Sequence, residues 1–508
     1  MLGETGVRKW GRMAADIDEP VGLGRTLGTT KIVFLVVAAA APLVAMAGTV
    51  PLSMGVGNGA GVPGAYLVAT LTLLCFSAGY AAMARTITGG GGFYAYVARG
   101  LGRPPAAAGA VLALLGYNGL VAALAGGIGY FLTIEGGAPG PWWLYSAAGI
   151  AIMAVLGFRA VDLSAKVLAV LLTCEIGMLL AVDLAILADR GTAAFPAASF
   201  DPATVLSGAP GVAFMFAFGS FVGYEAAAIY AEESRDPERA VPRATYAAVL
   251  VIGVFYTLTS WLTVGALGAD RARGVADDQE GELMLNLTSD LLGATAEALF
   301  GLLVITSIFA SLLAAHNAAG RYLYSLGRDG LVFTRLGRVH PRHRSPYAAS
   351  IAQSGFTLVV VAAFAVAGLD PYRNLVTVMS GLSTLGIVLL QMLTAVACVV
   401  YFRRRRDPRL LRTLVLPLAG CVGLVTATVL LLANFGTLAH SDAVAIKTLP
   451  YLAMLLAAGA ALYALRLRGT DPDRYARIGA SRPDTADATP ADALTPPRTG
   501  DADGSHAR

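Results

Sequence analysis

The chain has 508 residues, of which 56% are hydrophobic and only 14% are charged, and its mean hydropathy is +0.66. Soluble domains carry roughly a quarter charged residues, so this composition excludes an ordinary soluble protein and indicates an integral membrane protein. The net charge is +4. Basic runs such as Arg403–Arg406 are interpreted as topology anchors at a bilayer surface, and not as a nucleic-acid-binding surface.

Apolar segments of about 20 residues, each long enough to cross a bilayer, recur along most of the chain. A polar, cytoplasmic N-terminal segment is expected at 1–27, and residues 467–508, rich in Asp, Pro, Thr and Ala, are expected to form a disordered cytoplasmic tail. The pattern predicts an all-α membrane protein of about twelve transmembrane helices at 32–54, 63–86, 104–133, 141–158, 163–187, 208–231, 244–267, 294–318, 347–367, 375–401, 414–433 and 449–466.

The distribution of basic residues predicts the orientation of these helices. Of the 37 Lys and Arg residues, all but five fall on the cytoplasmic side when both termini are placed inside. We therefore expect a multi-pass protein of the plasma membrane with both termini in the cytoplasm. The five basic residues left outside are Arg190, Arg271, Arg273, Arg373 and Lys447.

The hydropathy plan of the first half of the chain is repeated in the second half. Each half opens with an apolar segment that Gly and Pro interrupt, first around Pro42, Gly48 and Pro51, and then between Pro210 and Gly223. Interrupted hydrophobic segments at matching positions of two halves are a sequence signal for the substrate site of a secondary transporter. A Gly or Pro can also mark only a kink or a close helix contact.

Each interruption would expose backbone groups that can bind a zwitterion without any charged side chain. The N–H groups at the start of a half-helix suit a carboxylate, and the C=O groups at the end of a half-helix suit an ammonium group or a cation. We expect the substrate between the two interruptions. The candidate substrate-binding residues are Pro42, Ala45, Met46, Ala47 and Gly48 in the first span and Phe218, Gly219, Ser220 and Val222 in the sixth.

Four ionisable residues lie deep in predicted spans, where such residues are expensive and are functional candidates. Glu175 is at the centre of the fifth span and could hold a proton in apolar surroundings and release it when hydrated, or it could be a protonated structural carboxyl. Asp183 lies nearer the outside, where we expect it to reach water. Glu225 follows the second interruption, and His316 is interpreted as a hydrogen-bonded packing residue.

No residue pattern predicts a metal site or a cofactor. The four cysteines lie inside predicted spans without the spacing of metal ligands. The outside segment 268–293 holds Asp270, Asp277, Asp278, Glu280 and Glu282, for which a solvated loop is favoured over a metal site. The Gly89–Gly92 run follows a transmembrane helix and no strand, so a tight corner is favoured over a phosphate-binding loop.

Three stretches of the sequence resemble the amino acid–polyamine–organocation permeases. FMFAFGSFVGYEAAAIYAEESRDPERAVPRATY (Phe214–Tyr246) is similar to the sixth helix of that superfamily and the loop after it. GGGGFYAYVARGLG (Gly89–Gly102) resembles the end of its second helix, and HNAAGRYLYSLGRDG (His316–Gly330) the end of its eighth. The resemblance covers about residues 28–466.

The resemblance implies a LeuT-type fold with two inverted repeats of five helices, broken first and sixth helices, and two extra helices. The repeats would span about 28–190 and 205–405 and the extra helices about 412–466, so 28–466 would be the permease domain. Known members move amino acids, polyamines or related amines by proton symport or exchange, with alternating access.

Some roles are implied by the same resemblance. Glu225 matches an acidic gate and proton sensor of arginine exchangers, and Tyr117 matches the tyrosine that partners it. Glu175 falls where a proton-coupled member has a lysine whose charge replaces a sodium ion. Ser307 and Ser311 lie near the eighth-helix side of that site, where hydroxyls bind sodium in sodium-coupled relatives.

The sequence departs from the superfamily pattern in three places. The Gly-Ser-Gly break of the first helix reads Val44-Ala45-Met46 here, which removes a side-chain hydroxyl. The tryptophan that covers the substrate in the arginine exchanger is Gly219, which argues against arginine exchange. Glu175 is acidic where the proton-coupled member has a lysine, so the coupling mechanism of that member does not transfer.

These observations predict a secondary carrier that imports an amino acid or related amine together with protons; coupling to sodium is less favoured. An amino acid or polyamine exchanger, and a membrane sensor that binds an amino acid without moving it, are the alternatives. An enzyme is not expected, because the spans hold no clustered nucleophile, metal or acid–base set. The sequence leaves the substrate, the stoichiometry and the oligomeric state open.

Overall fold

The computed structural model describes residues 28–86, 92–134, 137–159, 165–225, 234, 236–341, 343, 345–440 and 443–479. Within these residues the chain forms helices joined by short turns. Nine stretches are long and apolar enough to cross a membrane, and the first of them, Thr29–Ala84, contains the first two predicted spans. Two shorter apolar helices lie at the fourth and sixth predicted spans. Helices suit a bilayer because each one satisfies its backbone hydrogen bonds internally.

The helices are numbered here in chain order. The first broken helix consists of α1, Thr29–Ala39, and α2, residues 42–58, in which α and π turns alternate. The others are α3 Val62–Ala84, α4 Gly92–Leu101, α5 Arg103–Ile134, α6 Trp142–Phe158, α7 Ala165–Arg190, α8 Pro210–Gly219, α9 Pro237–Leu267, α10 Ala272–Gln279, α11 Leu283–Leu292, α12 Ala294–Asp329, α13 Tyr347–Val366, α14 Pro371–Arg404, α15 Leu411–Leu438, α16 Val444–Thr470 and α17 Pro472–Arg477.

Burial separates an inner group of helices from an outer one. The most apolar parts of α5 and α14 are 78% and 72% buried, whereas that of α16 is 22% buried. The outer helices present large aliphatic side chains away from the bundle, such as Val359 on α13 and Leu455 on α16. Exposed aliphatic surface of this extent is expected where lipid replaces water. Helices α2, α3, α5, α8 and α14 therefore form the interior, in which both helix breaks lie.

The segment predicted as a solvated acidic loop is folded. Residues 268–293 form α10 and α11, which lie on the outer half of α2 and bury Ala272, Ala276 and Leu283. The contact is close, because the Arg273 side chain donates to the Gly55 carbonyl at 3.2 Å. The buried apolar residues of the segment lie among acidic ones, and the acidic residues led to the prediction of a loop. One of them, Glu280, forms an ion pair with Arg373 at the start of α14.

The C-terminal segment also differs from its prediction. Residues 471–479 were assigned to the disordered tail, but they form α17 and a short extension that docks against α4 and α12. Ile478 is buried, and the Gly479 N–H donates to the Tyr94 hydroxyl at 2.7 Å. Tyr94 in turn donates to Asp329 Oδ2 at 3.0 Å. Because the composition of the tail is polar, the sequence did not indicate that Ile478 would be buried. Residues 480–508, the N-terminal segment 1–27 and most of the Gly89–Gly92 run lie outside the described residues.

Candidate functional site at two broken helices

The first helix breaks at Ala40–Ala41, just before Pro42. Ala41 has φ 47° and ψ 71°, a left-handed conformation that alanine rarely adopts. Pro42 explains the break, because proline lacks an N–H for the helical hydrogen bond and keeps the preceding residue out of the α conformation. The freed Ala40 carbonyl accepts a hydrogen bond from the Tyr256 hydroxyl of α9 at 3.1 Å.

The interruption lies slightly earlier than the predicted range. We expected it from Pro42 to Gly48, but the chain is helical again from Pro42, and residues 45–49 form a π turn. The candidate residues Pro42, Ala45, Met46, Ala47 and Gly48 are all buried there. The Gly48 carbonyl accepts from the Tyr372 hydroxyl of α14 at 2.9 Å, so a side chain from another helix contacts the backbone of this turn.

The sixth helix breaks after Gly219. Helix α8 ends there, and turns follow through Gly223, whose φ of 113° requires glycine. Gly219 lies against α14, since a Cβ at this position would be 2.6 Å from Thr384 Oγ1. The tryptophan found here in the arginine exchanger would therefore meet α14. Phe218, Ser220 and Val222 are buried.

Hydroxyl groups connect the two broken helices. Thr49 Oγ1 on α2 lies 3.3 Å from Ser220 Oγ at the second break, and the Tyr66 hydroxyl of α3 lies 3.0 Å from the same Ser220 oxygen. Thr49 donates to the Ala45 carbonyl at 2.7 Å, and Ser220 donates to the Phe216 carbonyl at 2.8 Å. Each hydroxyl can therefore donate its proton within its own helix, which leaves oxygen lone pairs as acceptors between the breaks.

Glu225 lies directly after the second break and is only 4% exposed. Its Oε1 accepts from the Tyr117 hydroxyl of α5 at 2.7 Å, and its Oε2 accepts from the Gly223 N–H at 2.9 Å. The Tyr80 hydroxyl donates to the Glu225 backbone carbonyl at 3.0 Å. The Tyr117 ring stacks on Tyr322 of α12 with centroids 5.3 Å apart. The structure brings Tyr117 and Glu225 together, with donors on both carboxyl oxygens.

Glu175 of α7 reaches the start of the second half of the first helix. The Ser307 hydroxyl of α12 and the Leu43 N–H of α2 both donate to its carboxyl group, which is 4% exposed. Leu43 follows Pro42, so its N–H is one of those that a helix start leaves without an intrahelical partner. Ser311 lies one turn beyond Ser307 on α12 and is partly exposed. Glu175 therefore links three helices at the first break.

The two other candidate residues are also buried. Asp183 is 4% exposed and accepts from the Thr259 hydroxyl of α9 at 2.8 Å, so the expectation that it reaches water is wrong. The stripe of α7 that carries Asp183 faces α9, which shields it. His316 lies 3.1 Å from Ser350 Oγ, which is the arrangement expected for a packing histidine.

Several residues at the breaks were missed by sequence reasoning. They are hydroxyl-bearing side chains that contact freed backbone groups or each other: Thr49, Tyr66, Tyr80, Tyr256 and Tyr372. In the sequence each of them is only a tyrosine or threonine inside an apolar span. Such residues are too common in spans to indicate a functional site. Within the described ranges, no group of three or more His, Cys, Asp or Glu side chains could hold a metal ion.

A helical membrane bundle in which two interrupted helices meet through side-chain hydroxyls has the architecture of a broken-helix transporter. A family model described as amino acid permease matches residues 27–459. The chain belongs to the amino acid permease family.

Individual relatives are similar over part of their length. The branched-chain amino acid permease BcaP of Bacillus subtilis (strain 168) is 28% identical over 133 residues, which are 26% of this chain and 28% of that protein. The low-affinity putrescine importer PlaP of Escherichia coli (strain K12) is 27% identical over 307 residues, which are 56% of this chain and 63% of that protein. The chain thus matches less than two thirds of the length of each of these relatives.

One solved structure shows the same fold. The crystal structure of an Eremococcus coleocola manganese transporter, in complex with an aromatic bis-isothiourea substituted compound, superposes with a TM-score of 0.52 at 14% identity. The match covers 88% of this chain and 95% of that one. The predicted fold class, an all-α membrane protein of the LeuT type with two broken helices, is confirmed. The count of about twelve helices stays a prediction.

Proposed function

We propose that this protein is a secondary carrier that takes up an amino acid or a related amine across the plasma membrane together with protons, by alternating access. Membership of the amino acid permease family supports this proposal. A branched-chain amino acid permease and a putrescine importer are among its relatives. Amino acids and polyamines share a protonated amino group, so the site should first of all accept an ammonium group.

The contact between Thr49 and Ser220 is the observation that carries the proposal. Both hydroxyls can donate within their own helices, so the two oxygens can accept hydrogen bonds from a ligand. An ammonium group has only donors to offer, which matches two facing acceptors. A substrate held there would touch α2 and the second break together, between residues 45–48 and 218–222.

Glu175 is the proposed coupling residue. As a carboxylate it accepts from the Leu43 N–H and the Ser307 hydroxyl and so ties α2 to α7 and α12. Hydrogen bonds to an ionised group are roughly twice as strong as those between neutral groups. Binding of a proton would weaken both bonds and release α2. A proton suits this site better than sodium, because protein donors already point at the carboxyl.

Glu225 and Tyr117 form the proposed gate. The Glu225 carboxylate bridges the second break to α5, and Tyr80 and Tyr322 surround it. With both termini in the cytoplasm, Tyr80 near the end of α3 is on the cytoplasmic side, so the gate would face that side. Opening it would require the bond between Tyr117 and Glu225 to break.

The test is uptake by proteoliposomes that contain the purified protein. Labelled leucine and labelled putrescine would be added outside, with and without an inside-alkaline pH gradient. We expect one of them to accumulate above its outside concentration only when the gradient is present. Flux that requires unlabelled substrate inside would show an exchanger, binding without flux would show a sensor, and accumulation driven only by a sodium gradient would refute proton coupling.

A further inference from the structure

Helix α7 carries a second buried carboxyl that the proposed function does not use. Its buried residues follow one stripe with helical spacing, which contains Leu172, Glu175, Leu179, Asp183 and Ile186. Glu175 and Asp183 are both 4% exposed and are separated by eight residues, or about 12 Å along the helix axis. Two carboxyls on a single buried stripe of an otherwise apolar helix call for a functional explanation.

Asp183 is underpartnered for an ionised group. The Thr259 hydroxyl donates to Oδ2 at 2.8 Å, while Oδ1 is buried and has no hydrogen-bond partner in the described part of the chain. A purely structural carboxylate would need donors on both oxygens, because a buried charge that is incompletely hydrogen-bonded is unfavourable. Glu225, by contrast, has a donor on each oxygen. The surroundings of Asp183 suit a carboxyl that gains and loses a proton.

Helix α9 presents a row of buried hydroxyls beside Asp183. Tyr256, Thr259, Ser260 and Thr263 are all buried and share one face of α9. Thr259 contacts Asp183, and Tyr256, one turn away, reaches the first break at Ala40, where Glu175 interacts with Leu43. The row thus extends from Asp183 to the surroundings of Glu175.

Charged neighbours do not account for Asp183. In the described ranges, none of the titratable groups on the helices packed against α7 forms an ion pair or hydrogen bond with it. Those groups are Lys31 on α1, Glu238, Arg239, Arg243, Tyr246 and Tyr256 on α9, Asp290 on α11, and Glu297, His316, Arg321, Tyr322, Tyr324, Arg328 and Asp329 on α12.

We propose that Asp183 is a second proton-binding residue, which receives protons from the membrane face at which α7 ends and passes them to Glu175 along the hydroxyl row of α9. In each transfer the O–H bond of the Asp183 carboxyl breaks, and its proton moves through hydroxyls and water to the Glu175 carboxylate. A hydronium ion of the outside solution then gives a proton to the Asp183 carboxylate and becomes water. This inference rests on the proposed proton coupling and adds a route to it.

Asp183→Asn tests the route, because it keeps the size and removes the proton site. Two rates would be measured in proteoliposomes with labelled leucine and putrescine: uptake driven by the pH gradient, and exchange against the same unlabelled compound inside. We expect the gradient-driven rate to fall about tenfold or more, and exchange to change by no more than about twofold. Thr259→Val should lower the gradient-driven rate in the same way, and Thr259→Ser should restore it.

Asp189→Asn is the matched control, since Asp189 lies on the same helix but is exposed and paired with Arg190. It should leave both rates unchanged. An unchanged gradient-driven rate in Asp183→Asn would overturn the proposal, and so would an equal loss of both rates, which would show a structural role.

Infrared spectroscopy separates this proposal from the proposed function. The difference spectrum between acidic and alkaline buffer should contain a protonated-carboxyl C=O band that Asp183→Asn loses and Glu175→Gln retains. The wild type could show no gradient-driven uptake while the band is present in the wild type and lost in Asp183→Asn. In that case the proposed function fails, but Asp183 still binds a proton. If the band persists in Asp183→Asn, Asp183 does not bind the proton and the proposal is wrong.

Discussion

The two helix breaks satisfy their freed backbone groups in different ways. At the first break both partners come from other helices: Tyr256 of α9 donates to the Ala40 carbonyl, and Glu175 of α7 accepts from the Leu43 N–H. At the second break the partner of the Gly223 N–H is Glu225, which is only two residues away. The first break is therefore tied to the surrounding helices, whereas the second carries its own carboxylate.

This difference implies a division of labour between the two carboxyls. Movement of α2 must disrupt the bond between the Leu43 N–H and Glu175 of α7, so a proton on Glu175 can control that movement. Glu225 can move together with the second break, and the bonds it must lose are those to Tyr117 and from Tyr80. Glu175 should thus control coupling to protons, and Glu225 with Tyr117 should control the rate of every transport mode.

The largest effect is expected for Glu175→Gln. The variant keeps the shape of the side chain but cannot bind or release a proton, so accumulation driven by a pH gradient should be abolished while exchange continues. The measurement is the final ratio of inside to outside label in proteoliposomes. Wild-type accumulation by this variant would remove the distinction between the two breaks.

Tyr117→Phe should lower all transport modes together. It removes one hydrogen bond to a charged group, which contributes about 1.5–3 kcal/mol to the closed gate. Because alternating access requires this gate to close in every cycle, gradient-driven uptake and exchange should both fall by roughly tenfold or more. The ratio of the two rates should stay that of the wild type. A selective loss of gradient-driven uptake would instead assign Glu225 to coupling.

Tyr256→Phe should have a smaller effect that is visible in stability. The variant leaves the Ala40 carbonyl without its hydroxyl donor, and one neutral hydrogen bond contributes about 1 kcal/mol. We expect the thermal midpoint of the detergent-solubilised protein to fall by about 2–4 °C. Tyr451→Phe, on the exposed face of α16, is the control and should leave the midpoint unchanged. An unaltered midpoint in Tyr256→Phe would show that this bond does not hold the first break.

The smallest effect is expected away from both breaks, at the ion pair between Arg373 and Glu280. The two side chains are 44% and 25% exposed, and exposed ion pairs contribute about 0–1 kcal/mol. Arg373→Gln should change uptake by no more than about twofold, and the difference should vanish in high salt because salt screens exposed charges. A loss as large as that of Tyr117→Phe would place a rate-controlling contact outside the two breaks.

Much of the fold could be predicted from the sequence, because about 20 apolar residues in a row have few alternatives to a membrane-spanning helix. The breaks could also be predicted, but the first was placed from Pro42 to Gly48, whereas the chain breaks at Ala40–Ala41, immediately before Pro42. Helix α10 and the docked segment 471–479 were missed because their apolar residues are few and lie among charged ones.

The candidate site could be predicted only in part. The deep carboxyls were identifiable, since ionisable residues in a span are rare. Two of their partners, Tyr117 and Ser307, were named only through the family resemblance. Leu43 and Thr259 were not identified, because a hydroxyl or a backbone N–H carries no signal of its own in an apolar span. Three-dimensional packing alone shows that Glu225 has a donor on each oxygen while one oxygen of Asp183 has none.

The central claim is that the carboxyl at the first break couples substrate to protons, and proton flux tests it most directly. Proteoliposomes loaded with a pH-sensitive dye would receive leucine or putrescine outside, without any imposed gradient. The account predicts that the interior acidifies when the wild type takes up substrate, and that Glu175→Gln exchanges labelled substrate without acidification. Acidification by Glu175→Gln at the wild-type rate would contradict the account.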